Sequence, residues 1–269
     1  WGLRLDDGFT LEEACALAAA MPVAVNASTT TPAEAAALAA AGPEVIAIHN
    51  FYPRPETGLD PDFLRESTRM LQAAGLKVYA FIPGDGQLRG PLHAGLPTLE
   101  AHRTAAPLAA FADLAVNYGM DGIFAGDPGV SSYELELIER YCATGVLPVP
   151  VRLAPGQEGL YGQIFTCRPD SPRWLVRYQE SRKYAAAGGP VEPAGCGPRP
   201  RGTVTMDNRL YGRYSGEIQL IREALPADER VNVIGRLDER YLLLADCIRR
   251  GSRFEMVRPP ERKEPADAL

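Results

Sequence analysis

The sequence predicts an α/β protein in two parts: parallel strands alternating with helices over residues 1–145, then a small, mostly β domain over 146–258. Three observations carry this. Short apolar runs alternate with helical segments five times in the first part. Polar residues collect immediately after those runs, where α/β enzymes keep their chemistry. After Gly145 the helical periodicity gives way to short β-rich runs separated by Pro/Gly breaks.

Taken in order, residues 1–5 (WGLRL) read as a strand that stops at Asp6-Asp7-Gly8. Thr10 caps a helix over 11–20, and Glu13, three residues on, completes a capping box. Residues 21–25 form the second strand, ending in Asn26-Ala27-Ser28. Thr31-Pro32 opens a helix over 33–41, with Gly42 past its end. The third strand, 45–48, runs into His49-Asn50-Phe51-Tyr52-Pro53-Arg54, and a helix over 61–74 follows. The fourth, 77–82, is succeeded by a long loop and a helix over 104–118; the fifth, 122–125, by Gly126-Asp127-Pro128 and a helix over 132–143. Strands so joined are parallel, with right-handed crossovers. In the second part, strands are expected at 146–153, 163–167, 202–206, 217–220 and 231–235, with one helix at 239–250 and a disordered tail at 259–269.

The loop after the fourth strand organises the first part. It holds Asp85, Arg89, His93, Glu100, His102 and Arg103, and between Tyr79 and Arg103 the chain has four glycines and three prolines that fix its path. No Gly-rich phosphate fingerprint of the dinucleotide or ATP type is present, so no cofactor is expected.

Composition limits the partners. The net charge of −6 argues against nucleic acid. Of the 28 basic residues only Lys77, Lys183 and Lys263 are lysines, so cationic sites are guanidiniums suited to phosphate or carboxylate. Five scattered cysteines without a C-x-x-C fit a reducing compartment and no structural zinc. No run of about 18 apolar residues could span a membrane.

Several long stretches are unusual: LRLDDGF, HNFYPRPETGLD, PGDGQLRGPLHAGLPTLEAHR with GDPGVSSY, and later QESRKY, MDNRLYGRYSGEIQL and RVNVIGRL. Together they resemble the MupG family of 6-phospho-N-acetylmuramidases, over nearly the whole chain. The resemblance implies a (β/α)8 TIM barrel, here its last five strand–helix units, followed by a cyclophilin-like β domain. It implies a cytoplasmic glycosidase that cleaves the β-1,4 bond of N-acetylmuramic acid 6-phosphate–N-acetylglucosamine in peptidoglycan recycling. Family members begin with three further strand–helix units, so roughly a hundred residues before Trp1 are expected to be absent here, with any site residues they carry. Five strands of eight cannot close, which predicts a chain that aggregates or forms a homodimer through its open edge and is inactive alone.

Such hydrolysis needs an acid and normally a second carboxylate, while the substrate's phosphate and lactyl carboxylate call for arginines or N–H groups. Strand alternation puts Arg4 and Asp6 opposite Leu3 and Leu5, aiming Asp6 at the active edge. Family members match this chain at Asp6 but often carry an aromatic in place of Asp7. Asp6, Asp127 and Glu100 are therefore the catalytic candidates; the competing readings make Asp6 a loop cap and Asp127 a helix cap. Asn26, His49, Asn50, Tyr52, Asp85 and His102 are candidates for the sugar, and Arg54, Arg89 and Arg103 for the anions, against ordinary structural or surface roles. In the β domain Arg182, Asp207, Asn208, Tyr211, Tyr214 and Glu217 are candidate contacts, or turn chemistry. No residues group as metal ligands do. Two other classes stay open: another sugar-phosphate barrel enzyme, an aldolase or isomerase, and a non-catalytic phospho-sugar binder. The first would need a lysine at the active edge, and Lys77 begins its strand at the far end.

Overall fold

The computed structural model describes residues 2–6, 8–181 and 190–261, and the chain divides into two compact units, Trp1–Ser131 and Ser132–Leu269. Asp7, Arg182 and the part of the expected tail beyond residue 261 lie outside the described residues.

The first unit runs β1 (Leu3–Leu5), α1 (Leu11–Ala20), β2 (Val23–Asn26), α2 (Pro32–Ala41), β3 (Val45–Ile48), α3 (Pro61–Ala73), β4 (Lys77–Ile82), α4 (Pro107–Asp113) and β5 (Gly122–Ala125). Local chemistry sets each helix start. Thr10 and Thr31 each close a capping box, with Glu13 and Glu34, and Asp60 caps α3 through the N–H groups of Asp62 and Phe63. The expected helix over 104–118 is shorter because Pro107 holds the preceding Ala106 extended, and the last turn, Leu114–Tyr118, widens to a π-turn closed by left-handed Gly119.

All five strands pair in parallel and in sequence order, β1-β2-β3-β4-β5. A doubly wound sheet would reverse direction once; an unreversed order is that of an arc of a (β/α)8 barrel, whose crossovers all lie on one face. On that face Val23, Val25, Val45, Ala47, Val78, Ala80 and Ile82 are buried. Register places Arg4, Ala24, Asn26, Ile46, Ile48, Tyr79, Phe81 and Phe124 on the other face. There Ala24, Ile46 and Ile48 pack with the half-buried Tyr79 and Phe81.

The second unit comprises α5 (Ser132–Thr144), β6 (Val146–Leu153), β7 (Ile164–Thr166), β8 (Leu175–Arg177), β9 (Thr203–Asp207), β10 (Ile218–Ile221), β11 (Val231–Leu237), α6 (Leu244–Cys247) and β12 (Arg253–Val257). Its strands form one curled mixed sheet, ordered β7-β12-β6-β11-β9-β10-β8, in which only β12–β6 is parallel. Phe165, Tyr178 and Phe254 pack edge and face at the centre, with ring centroids 4.7–6.0 Å apart. Helix α5 is tied down by Tyr241, whose hydroxyl donates to buried Glu134, and by the Arg140–Glu255 pair. The helix expected over 239–250 is instead a 3₁₀ turn, Glu239–Tyr241, and the one-turn α6, because Ile248 turns extended to lead into β12. The strands β8 and β12 are additional to those expected.

Candidate active site

At the C-terminal edge of the parallel sheet the predicted side chains separate into those that frame the loops and those that stay available. Asp127, immediately past β5, is buried and accepts three main-chain N–H bonds: Gly84 and Leu96 to Oδ2 and Arg89 to Oδ1, each at 2.9 Å. Asp85 accepts the N–H and hydroxyl of Ser131 at 2.7 and 2.8 Å. The loops interlock: Gly86 donates to Gly129 O and Gly129 to Gln87 O, both at 3.1 Å. A Cβ on Gly84 would lie 2.3 Å from Gly129 O, which is why that strand end requires glycine.

Glu100 and Arg103 do the same for the loop after β3. Glu100 accepts the N–H groups of Glu56 and Gly58, both at 2.8 Å, and pairs with Arg103 through both oxygens. Arg103's hydrogen bonds, then burial (opposing), then the two N–H groups set its acidity, and the net effect brings its pKa down to about 2. Arg103 also donates to the carbonyls of Tyr52, Ala94, Gly95 and Arg54. Asp127 and Glu100, expected as catalytic groups, thus have both oxygens committed as acceptors, and Arg103, expected to grip an anion, has its guanidinium committed to carbonyls and Glu100.

Two histidines face inward to the helices. His49 is fully buried, with Nδ1 3.2 Å from Ser28 Oγ and Nε2 3.3 Å from Thr68 Oγ1 of α3, and burial lowers its pKa to about 4. Alternation explains this: His49 continues the helix-facing row of Val45 and Ala47, and Asn50 takes the other face. His102 is buried against Asp113, Nε2 to Oδ2 at 2.7 Å.

What remains at the mouth is compact. Arg4 Nε donates to Asp6 Oδ1 at 2.9 Å, and Arg4 Nη2 donates to Asn50 Oδ1, so one guanidinium joins the ends of β1 and β3. The Asp6 side chain is 67% exposed. Beside Asp6, Asn26 lines a cavity of about 140 Å³ at the ends of β1 and β2, and its Oδ1 accepts the Ser28 N–H at 2.9 Å. A row of aromatic rings crosses the same face: Tyr79 stacks on Phe124 (5.4 Å), Phe124 meets Phe81 (5.6 Å), and Phe81 meets Phe51 edge-on (5.2 Å). The Arg89 guanidinium sits over Phe51, 5.6 Å from its centroid, and is exposed. Tyr52 is half-buried and Arg54 exposed; the Arg54 guanidinium has no hydrogen bond or ion pair among the described residues.

Arg4 and the aromatic row were not among the expected site residues. Their signal was available in part: Arg4 shares Asp6's face, and aromatics at 79 and 81 alternate along one strand. No three His, Cys, Asp or Glu residues among those described could hold a metal ion, and no described helix is long and apolar enough to cross a membrane. Lys77 is exposed at the start of β4, at the opposite end of the sheet from Asp6, so it cannot serve as a Schiff-base lysine there.

Two family models match the chain: "6-phospho-N-acetylmuramidase, N-terminal" over residues 1–140 and "6-phospho-N-acetylmuramidase, C-terminal" over residues 153–257. The chain belongs to the 6-phospho-N-acetylmuramidase family. A crystal structure of a conserved Enterococcus faecalis protein of unknown function superposes with a TM-score of 0.82 at 37% identity, covering 96% of this chain and 72% of that one. An uncharacterised B. cereus protein superposes at 0.78 with 26% identity, covering 95% and 77%. No curated protein matches the chain.

The C-terminal family region contains a second group of the expected residues. Along β9 and β10, Thr205 donates to Gln219 Oε1 (2.7 Å), and Gln219 Nε2 donates to Asp207 Oδ2 (3.1 Å). Glu217 is held by both nitrogens of the Arg177 fork, Nε at 2.5 Å and Nη2 at 2.9 Å. Burial, with a contribution from the Glu217 charge, pushes the Asp207 carboxyl up to about 7 against the opposing Gln219 bond. Asn208 is buried and ties Asn232 and the Glu229 carbonyl, so its part is to hold the loop beside β11. Tyr211 and Tyr214 meet edge to face at 6.3 Å across a kink at Gly212 that interrupts the 3₁₀ turns of Arg209–Tyr214, with Arg230 over Tyr211.

Asp207 gives a pH prediction. Its folded pKa lies above the unfolded value of about 3.9, so its contribution to stability is full below that value and is lost as pH rises through about 7. Asp207→Asn removes the titration. Its unfolding free energy is expected to gain on the parent's between pH 4 and 7, with a slope of at most about 1.4 kcal/mol per pH unit. Denaturant unfolding across that range checks this; parallel curves would place the titration elsewhere.

Proposed function

We propose that the chain works as a glycosidase on N-acetylmuramic acid 6-phosphate–N-acetylglucosamine, cleaving the β-1,4 bond of a fragment recovered in the cytoplasm from cell-wall turnover. The observation that carries this reading is the Arg4–Asp6–Asn50 network at the sheet's C-terminal edge, in a member of this family. Asp6, salt-bridged to Arg4 at the open edge, is the carboxylate placed to face the positive charge that develops at the anomeric carbon or to act as base or nucleophile. Asn50 and Asn26 offer amides to the hydroxyl and acetamido groups. The aromatic row offers ring faces to the apolar side of a sugar. Arg89, beside Phe51, and Arg54 are the cations placed to take the phosphate or the lactyl carboxylate.

The test is release of N-acetylglucosamine from the phosphorylated disaccharide by purified protein. Binding without release would make the chain a phospho-sugar binder instead. Arg89→Ala is expected to lower kcat/KM on the phosphorylated disaccharide by about 10–100-fold, the effect of a charge-assisted bond of about 1.5–3 kcal/mol. Residual turnover of the unphosphorylated disaccharide should hardly change. Equal losses on both substrates would place Arg89 away from the phosphate.

A further inference from the structure

The second unit has a basic cleft that the proposed reaction does not use. It is an open, shallow depression of about 510 Å³ lined by Ser171, Pro172, Arg173, Arg222, Asp246, Arg249 and Arg250. Four guanidiniums around one cleft are notable in a chain whose net charge is −6. The one lining carboxylate is already engaged, since Asp246 accepts both Arg201 nitrogens, Nη2 at 2.5 Å and Nη1 at 3.4 Å. Arg173 lies over the Trp174 ring and its ion pair among the described residues is with Glu223, at 3.1 Å; both side chains are well exposed, 72% and 45%, so an anion competes readily for that guanidinium.

Arg222 gives the cleft a fixed floor. Its Nε donates to Ala245 O at 2.9 Å and its Nη2 to Ile248 O, which locks the guanidinium plane against the end of α6. Nη1 has no hydrogen-bond partner among the described residues, and neither has the exposed Arg250 guanidinium. A planar donor held by the main chain, with the exposed Arg173 and Arg250 guanidiniums beside it, is an arrangement that matches tetrahedral oxyanions: the floor is preorganised and the rim supplies further charge.

We propose that this cleft is an anion site for a phosphate monoester, separate from the sheet-edge site and built from second-unit residues alone. Titration calorimetry of the whole chain with inorganic phosphate and with glucose 6-phosphate tests it, repeated for R250A, for the double variant R173A/R250A and for R89A. The expected result is saturable binding of both probes, weakened about 10–100-fold in the double variant and to a lesser degree in R250A, but retained in R89A. Thermal unfolding of the double variant should match the parent without ligand, since neither side chain is buried, and should lose the upward shift that phosphate gives the parent. Absence of binding, or equal binding by the double variant, would overturn the proposal. Loss of binding in R89A alone would assign the phosphate to the sheet edge instead.

Discussion

Asp6→Asn should reduce hydrolysis of the phosphorylated disaccharide by at least about 10²–10⁴-fold while leaving the fold intact. The two halves of that expectation have separate grounds. Among the described residues the Asp6 side chain hydrogen-bonds Arg4, and it is 67% exposed, so exchanging one carboxylate oxygen for an amide nitrogen alters no core contact. Surface changes of this kind move stability by no more than about 0.5 kcal/mol. The lost negative charge, in contrast, is what a developing oxocarbenium centre or an attacking water requires. Kinetics with matched unfolding curves decide the matter: a variant with half the parent's kcat would remove Asp6 from the site.

The largest stability effect is expected at Asp127. Replacing it with alanine strips the acceptor from the N–H groups of Gly84, Arg89 and Leu96 together. At about 1–3 kcal/mol for each donor left unpaired the three sum to roughly 3–9 kcal/mol, with the lower end expected because only the Leu96 bond is fully buried, and even that is a large part of the roughly 5–15 kcal/mol that holds a typical domain. Asp127→Asn keeps one accepting oxygen and should recover part of it. Chemical denaturation measures the loss, and limited proteolysis should find new cleavage between residues 84 and 96. An alanine variant within 1 kcal/mol of the parent would mean that the loop path is set elsewhere, by the Asp85–Ser131 and Gly86–Gly129 bonds.

Much of the first unit could be read from local signals. Thr10 with Glu13, Thr31 with Pro32, and Pro61 mark helix starts within one turn of their own residues, and the apolar runs between them are strands. Local signals served less well where a partner came from far along the chain. Strand β8 has three residues and exists because β10 pairs with it; the helical look of residues 239–250 gave way to the demand of β12 for pairing with β6 and β7. The site follows the same division. Alternation in the first strand put Asp6 on the open face; His49 and Asn50 were both expected at the sugar, and in the fold alternation leaves Asn50 on the open face and sends buried His49 to the helices. Asp85, Asp127 and Glu100 have the residue type and the loop position of catalytic groups, and only their partners 31–46 positions away reveal them as anchors. Arg4 gains its importance from Asn50, 46 positions on.

Those anchors grip main chain, not side chain. Apart from the Ser131 hydroxyl and the Arg103 guanidinium, what Asp85, Asp127 and Glu100 recognise is a set of amide hydrogens that every residue except proline carries. The identities of Gln87, Leu88 and Leu92 are therefore uncoupled from the path of the loop that bears them. Here is a replaceable cassette on a fixed mount: a lineage, or an engineer, can exchange its side chains and keep the supporting scaffold unaltered.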